Sequence, residues 1–110
     1  MKQDFMIGGV VVEQSSHLIL PWVVVDTRTA IALEKQLMRE INQHHQLYGR
    51  ILKTMARCEA NDDVLFHDID NNRFVLVHLT WSNNQNAEFP RFDYFSTFSD
   101  FIDYCKEEYE

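Results

Sequence analysis

An α+β domain is what this sequence predicts: an antiparallel β-meander of three or more strands packed with two helices, one in its N-terminal half and one at its C-terminus. The order is α-β-β-β-α, preceded by a β arm or hairpin. Three observations carry this prediction. Residues 74–82 form the longest run dense in β-branched and aromatic residues, the composition of a strand. Residues 28–43 repeat apolar side chains at helical spacing. Two clusters of turn formers, Asn61-Asp62-Asp63 and Asp70-Asn71-Asn72, bracket the short apolar run Val64 to Ile69.

The chain begins with two strand-like segments, 5–13 and 17–25, separated by Gln14-Ser15-Ser16. Gly8-Gly9 weakens the first and suits a bulge. A hairpin fits these segments, and so does a less regular arm ending in Trp22-Val23-Val24-Val25. Asp26 or Thr27 is placed to cap the following helix. Ala30, Leu33, Leu37 and Ile41 make its buried stripe, with Ile31 and Met38 beside them. Glu34, Lys35, Arg39 and Glu40 fall on the outer side.

The polar break 42–46 closes on Tyr48-Gly49, where Gly49 can supply a positive φ. Residues 50–60 alternate as a strand, with Leu52, Thr54, Ala56 and Cys58 on one side and Lys53, Arg57 and Glu59 on the other. Ile51 and Met55 disturb the pattern by joining the charged side. In the strand at 74–82, Val75, Val77, Leu79 and Trp81 share one apolar face, and the other ends in His78, Thr80 and Ser82. Leu33, Leu37 and Ile41 are expected to pack on the Val75 face. Asn83 to Asn86 reads as a polar loop, and Pro90 keeps the aromatic segment 89–95 extended at its start. Ser96 or Thr97 caps a last helix, 98–108, whose stripe is Phe98, Phe101, Ile102 and Cys105.

Composition bounds the function. The 110 residues make one domain, an arm at 1–25 and a main body at 26–110. Fourteen aromatic residues supply a core, and three Gly with two Pro argue against disorder. A formal charge of −7 disfavours nucleic acid, whose binding needs clustered Lys and Arg, and favours a basic protein partner. Cys58 and Cys105 are far apart in sequence and form no CxxC, which fits reduced thiols in a cytoplasmic protein. Neither a secretory leader nor an apolar run long enough to span a bilayer is evident, so no membrane association is expected.

Few residues offer chemistry. The five histidines show no metal-binding spacing, so no metal or cofactor is expected; His44 and His45 read as solvated loop residues. His78, flanked by Thr80, suits either a general base or a half-buried histidine bonded to a carboxylate or carbonyl. Asp62 suits a turn better than a cation site. From Asp93 to Glu110 there are six acids and one base, Lys106, with aromatics interleaved. Asp100, Asp103 and Glu107 share the outer face of the last helix, which reads first as the solvated face of an amphipathic helix and second as a docking surface for a basic partner.

Several blocks carry a resemblance: Leu47-Tyr48-Gly49, Lys53 to Cys58 with its Ala56-Arg57 pair, Asp62-Asp63-Val64-Leu65-Phe66, Val75 to Ser82 ending His-Leu-Thr-Trp-Ser, and Phe89-Pro90. Over residues 27–105 they resemble a family of small uncharacterised bacterial proteins. His45 matches a histidine of that family, with Gln46 where a proline is common. The resemblance implies no activity. Size and acidity also resemble toxin-immunity proteins, a general likeness that rests on no motif. Arg57, Asp62, His78, Thr80 and Trp81 fall within the family-like blocks and form the candidate polar site, with Arg57 and His78 expected on one face of the sheet. The functional expectation is a non-enzymatic binding protein of immunity or regulatory type. The alternative is a small enzyme or ligand-binding module built on that polar face. A homo-oligomer is compatible with both.

Overall fold

The computed structural model describes the backbone at 5–7 and 10–12, and residues 18–82 and 86–109 with their side chains. Its elements run β1 (Phe5–Ile7), β2 (Val10–Val12), β3 (Trp22–Val24), α1 (Thr27–Glu40), β4 (Leu52–Cys58), β5 (Asp63–Asp68), β6 (Arg73–His78), β7 (Arg91–Phe95) and α2 (Phe98–Tyr109). Strands β3 to β7 form one antiparallel sheet in the order β3-β4-β5-β6-β7. The predicted α+β class and the α-β-β-β-α core are present. The meander continues to a fourth strand, β7, and β3 adds the opposite edge.

The N-terminal reading needs correction. Segment 5–13 is not one strand, because β1 pairs with β2 and Phe5 lies opposite Val12. Among the described residues of segment 17–25, Trp22–Val24 is strand, and it pairs with Cys58 to Ala56 and not with β1 or β2. The expected Gly8-Gly9 bulge, the Gln14-Ser15-Ser16 break and most of the loop from Asn83 to Asn86 lie outside the described residues.

Local chemistry explains the element ends. Asp26 Oδ1 accepts from the Thr29 amide at 2.8 Å, capping α1. That bond holds the Asp26 carboxyl below the usual carboxylate range. Thr97 Oγ1 accepts from the Asp100 amide at 3.0 Å and caps α2. Asn61 Oδ1 accepts from the Asp63 amide at 2.8 Å, the Asx bond expected of that turn. Gly49 and Asn72 have φ of +80° and +48°, conformations that Gly and Asn tolerate. The β5–β6 hairpin is tied across its end by Asp68, which accepts from Asn71 Nδ2 and Arg73 Nε. The Arg73 guanidinium lies 3.6 Å from the Tyr94 ring centre, joining that hairpin to β7.

Each sheet face carries its own core. Leu33, Leu37, Ile41 and Leu47 pack on Leu52, Val64, Phe66, Val75, Val77 and Leu79, which places α1 on the predicted face. On the other face Phe101 and Cys105 of α2 join Trp22, Met55, Ala56, Cys58, Leu65, Phe74 and Leu76. Trp22 and Phe101 meet edge to face at 4.9 Å.

Strand β4 contributes to both cores because of a bulge. Its register with β5 shifts between Thr54 and Ala56. Leu52 and Thr54 therefore face α1, whereas Ala56 and Cys58 face α2, not the single side that simple alternation predicts. At the bulge Thr54 is held to α1 by two bonds, its amide to Glu34 Oε2 at 2.8 Å and its hydroxyl to the Ala30 carbonyl at 3.1 Å.

Candidate functional site

The five residues of the predicted polar site do not form one constellation. Arg57 pairs with Val64, which pairs with Val77, so Arg57 lies on the α1 face. His78 pairs with Asp63 and Arg91 one position further on, so it lies on the α2 face. The bulge at Met55 is the reason: it turns Arg57 to the face opposite the one that unbroken alternation would give.

Three of the five line one small recess. Arg57, Asp62 and Trp81, with Leu33, Asn61 and Val64, border a hollow of about 70 Å³ at one end of the sheet. Trp81 is not a core residue of β6. The strand stops at His78, and Trp81 is 53% exposed with φ +56°, a rare conformation for a bulky side chain.

Glu40 is what turns the chain there. Sequence reasoning placed it on the outer side of the helix, yet it is fully buried. Its Oε1 accepts from the amide of Thr80 at 2.7 Å and from the Thr80 hydroxyl at 2.8 Å. Its Oε2 accepts from Gln36 Nε2 at 2.8 Å and from the Trp81 amide at 2.9 Å. Four donors thus meet the roughly four lone-pair positions of one carboxylate. An acid in the last turn of a helix faces the negative end of its dipole, and these four bonds offset that disadvantage. Thr80 is therefore part of a structural clamp between α1 and the end of β6.

His78 sits between two carboxylates. Its Nδ1 lies 2.7 Å from Asp63 Oδ1 and its Nε2 lies 3.3 Å from Asp93 Oδ2. Asp63 is largely buried and His78 half-exposed. In a singly protonated ring only one contact is a hydrogen bond, and the shorter, more buried one to Asp63 claims the proton. Nε2 then faces an open groove of about 830 Å³ bordered by His44, Gln46, Glu88, Arg91, Phe92 and Asp93. Asp63, which sequence reasoning passed over for Asp62, is the partner. The usable signal was the hairpin register, which places Asp63 opposite His78.

His45 is a second revision. Rather than standing in solvent, it is buried, and its Nδ1 accepts from the Leu47 amide at 3.0 Å. The proton is then on Nε2, which donates to the Pro90 carbonyl at 2.8 Å. His45 thus fastens the loop after α1 to the start of β7, and its ring packs near Phe92. His44 is exposed, as its loop position suggested.

The acidic face of α2 is formed as predicted. Asp100, Asp103 and Glu107 are all exposed, and Phe101 and Cys105 anchor the opposite side in the core. Burial pushes the Cys105 thiol up to about 12, with the neighbouring Cys58 adding to the effect. Tyr104 is raised to about 12 by burial first, then by the neighbouring Tyr109 and by Asp63 and Glu108. Tyr109 also reaches about 12 through burial and its bond with Cys58.

Among the described residues no group of three or more His, Cys, Asp or Glu is placed to hold a metal ion. No described helix is long and apolar enough to cross a membrane. No family model, curated protein or solved structure matches the chain. The fold and the arrangement of its side chains are therefore the basis for any functional reading.

Proposed function

We propose that this is a non-enzymatic protein-binding domain, of immunity or regulatory type, that docks a basic protein partner in the cytoplasm through the acidic face of α2. The observation that carries the proposal is the two-sided character of that helix. Phe101 and Cys105 fix it in the core, and Asp100, Asp103 and Glu107 stand together in solvent on the other side. Residues three or four apart on a helix are neighbours, so the charges reinforce one another's field. The formal charge of −7 adds a long-range attraction for a basic surface. Glu40 and His45 support a binding role more than a catalytic one, since their polar atoms are taken up by partners within the fold. Capture of partners from the source cell at low salt tests the proposal. A protein retained at low salt and released as salt rises supports it, and recovery of no protein partner contradicts it.

One observation favours a second reading. The Asp63–His78 pair orients an imidazole whose Nε2 faces the groove beside Arg91. A buried carboxylate that fixes a histidine tautomer is how a general base is positioned. On this reading the groove takes a small anionic ligand that also carries a hydroxyl, the hydroxyl donating to His78 Nε2 and the anionic group meeting Arg91. Arg57, on the other face of the sheet, and Asp62 do not border this groove. Chemical-shift changes of the His78 ring during titration with inorganic phosphate and small hydroxycarboxylates test this. A flat response from His78 and Arg91 removes it.

A further inference from the structure

Charge is distributed unevenly between the two helices. In a chain of net charge −7, the outer face of α1 carries Arg28, Lys35 and Arg39, all exposed. The two acids of that helix are withdrawn. Glu34 Oε2 accepts from the Thr54 amide at 2.8 Å, and Glu40 is buried in its clamp. Among the described residues the Arg28 and Lys35 side chains make no hydrogen bond or ion pair, and Arg39 makes one long bond of 3.4 Å to Gln36. Ile31 and Met38 stand beside these bases, 48% and 53% exposed. On the opposite side of the sheet, α2 turns Asp100, Asp103 and Glu107 outward. The molecule therefore presents a basic helix face with an apolar strip on one side and an acidic helix face on the other.

We propose that the α1 face of one copy docks on the α2 face of a second copy of the same chain, head to tail. The inference rests on the α2 face being a docking surface and names what covers it. The spacings match: Arg28 and Lys35 are seven residues apart, as are Asp100 and Glu107, so each pair stands on one line about 10.5 Å long. With the helices laid parallel, Arg28 meets Asp100 of the second copy and Lys35 meets its Glu107. Ile31 lies about 50° to one side of the Arg28–Lys35 line, and Tyr104 about 50° to the other side of the Asp100–Glu107 line, at 100° per residue. In a parallel face-to-face pair those two sides coincide, so the half-buried Tyr104 covers Ile31. An antiparallel pair sets Ile31 beside Asp103 instead, so the apolar contact selects the parallel one. Each copy uses one face and leaves the other free, and association of this heterologous kind continues beyond two copies. Net charge opposes it at long range, but a screening length of about 8 Å at physiological salt removes most of that repulsion and leaves the close pairs.

Sedimentation equilibrium of the full chain at physiological salt, up to millimolar concentration, tests the proposal. The average mass of the wild type is expected to rise with concentration and to pass that of a dimer. Arg28→Glu with Lys35→Glu reverses the α1 face, turns two attractive pairs repulsive and should weaken association by about tenfold or more. Changing Asp100, Asp103 and Glu107 to Asn or Gln removes the acidic face and should also weaken it. Mixing the two variants should restore association, because the first keeps its acidic α2 and the second its basic α1. That mixture should stop at one copy of each, since the two remaining faces are acidic and neutral. All the changed side chains are exposed, and a thermal melt checks that each variant folds. Should the α1 variant fail to fold, Lys35→Glu alone takes its place. A wild type that stays monomeric or stops at a dimer, either variant associating like the wild type, or a mixture that does not associate or grows past one copy of each overturns the proposal. The α1 variant leaves α2 untouched and should still retain a basic protein in low-salt capture. Capture of such a protein by a chain that does not self-associate sinks this inference and leaves the docking proposal standing; self-association with no other protein captured does the reverse.

Discussion

Replacing Glu40 by Gln keeps the shape of the side chain and removes half of its accepting capacity. In the native protein four donors converge on the two carboxylate oxygens. The amide oxygen of Gln can retain two of them, such as the amide and hydroxyl of Thr80. Its NH2 group then faces Gln36 Nε2 and the Trp81 amide, donor against donor. A buried donor left without a partner costs about 1–3 kcal/mol. Gln36 is buried and bears the full penalty, whereas Trp81 stands at the exposed margin of the clamp and bears less, so the two lost bonds correspond to about 2–4 kcal/mol. Urea unfolding followed by far-UV circular dichroism measures this as a shift in midpoint at unchanged slope. Trp81 fluorescence should also change, since its amide is what holds the left-handed turn. A Glu40→Gln variant within about 0.5 kcal/mol of wild type, the range of an ordinary surface change, would refute the clamp.

Three further outcomes follow from the two cores and the α2 side chains. Leu37 is fully buried between α1 and the sheet, so Leu37→Ala should cost about 2–5 kcal/mol in the same unfolding assay. Removing residues 97–110 takes Phe101 and Cys105 from the second core and should abolish cooperative unfolding, whereas neutralising Asp100, Asp103 and Glu107 to Asn or Gln should leave the melt within a few degrees of wild type. The third outcome concerns alkaline pH. Cys105, Tyr104 and Tyr109 are raised from ordinary values of 9.0, 10.0 and 10.0 to about 12. A group with a raised folded pKa stabilises the fold below its unfolded pKa and loses that contribution as pH rises through the folded one. Stability should therefore fall progressively between pH 9.0 and about 12, and Cys105→Ser with Tyr104→Phe and Tyr109→Phe should flatten that decline.

How far each element could be read from sequence depends on whether its signal is local. Helix α1 and the β5–β6 hairpin were legible because Leu33, Leu37 and Ile41 recur at helical spacing and Asn72 supplies its positive φ within four residues of chain. The flanks of the α1 stripe were misjudged. Ile31 and Met38 lie about 140–160° around the helix from Leu33, at 100° per residue, and are exposed. Gln36 and Glu40 lie on the other flank and are buried, an outcome decided by donors some forty residues away in Thr80 and Trp81. The β4 bulge left only a disturbed alternation at Ile51 and Met55, too little to place Arg57 opposite His78. Strand β7 was read as an extended aromatic segment, because its alternation of Arg91, Phe92, Asp93 and Tyr94 is that of an edge, with charge on one face and aromatic rings on the other. The acidic face of α2 was legible because it depends on helical spacing alone.

The docking proposal is tested most directly by the association rate with the partner captured at low salt, measured as a function of ionic strength. Electrostatic steering makes that rate fall as salt screens the acidic face. The chain with Asp100, Asp103 and Glu107 changed to Asn or Gln should remain folded, associate more slowly at low salt, and show a flatter salt dependence. Association of that variant at the wild-type rate at low salt would contradict the proposal and leave the α2 face as solvated surface.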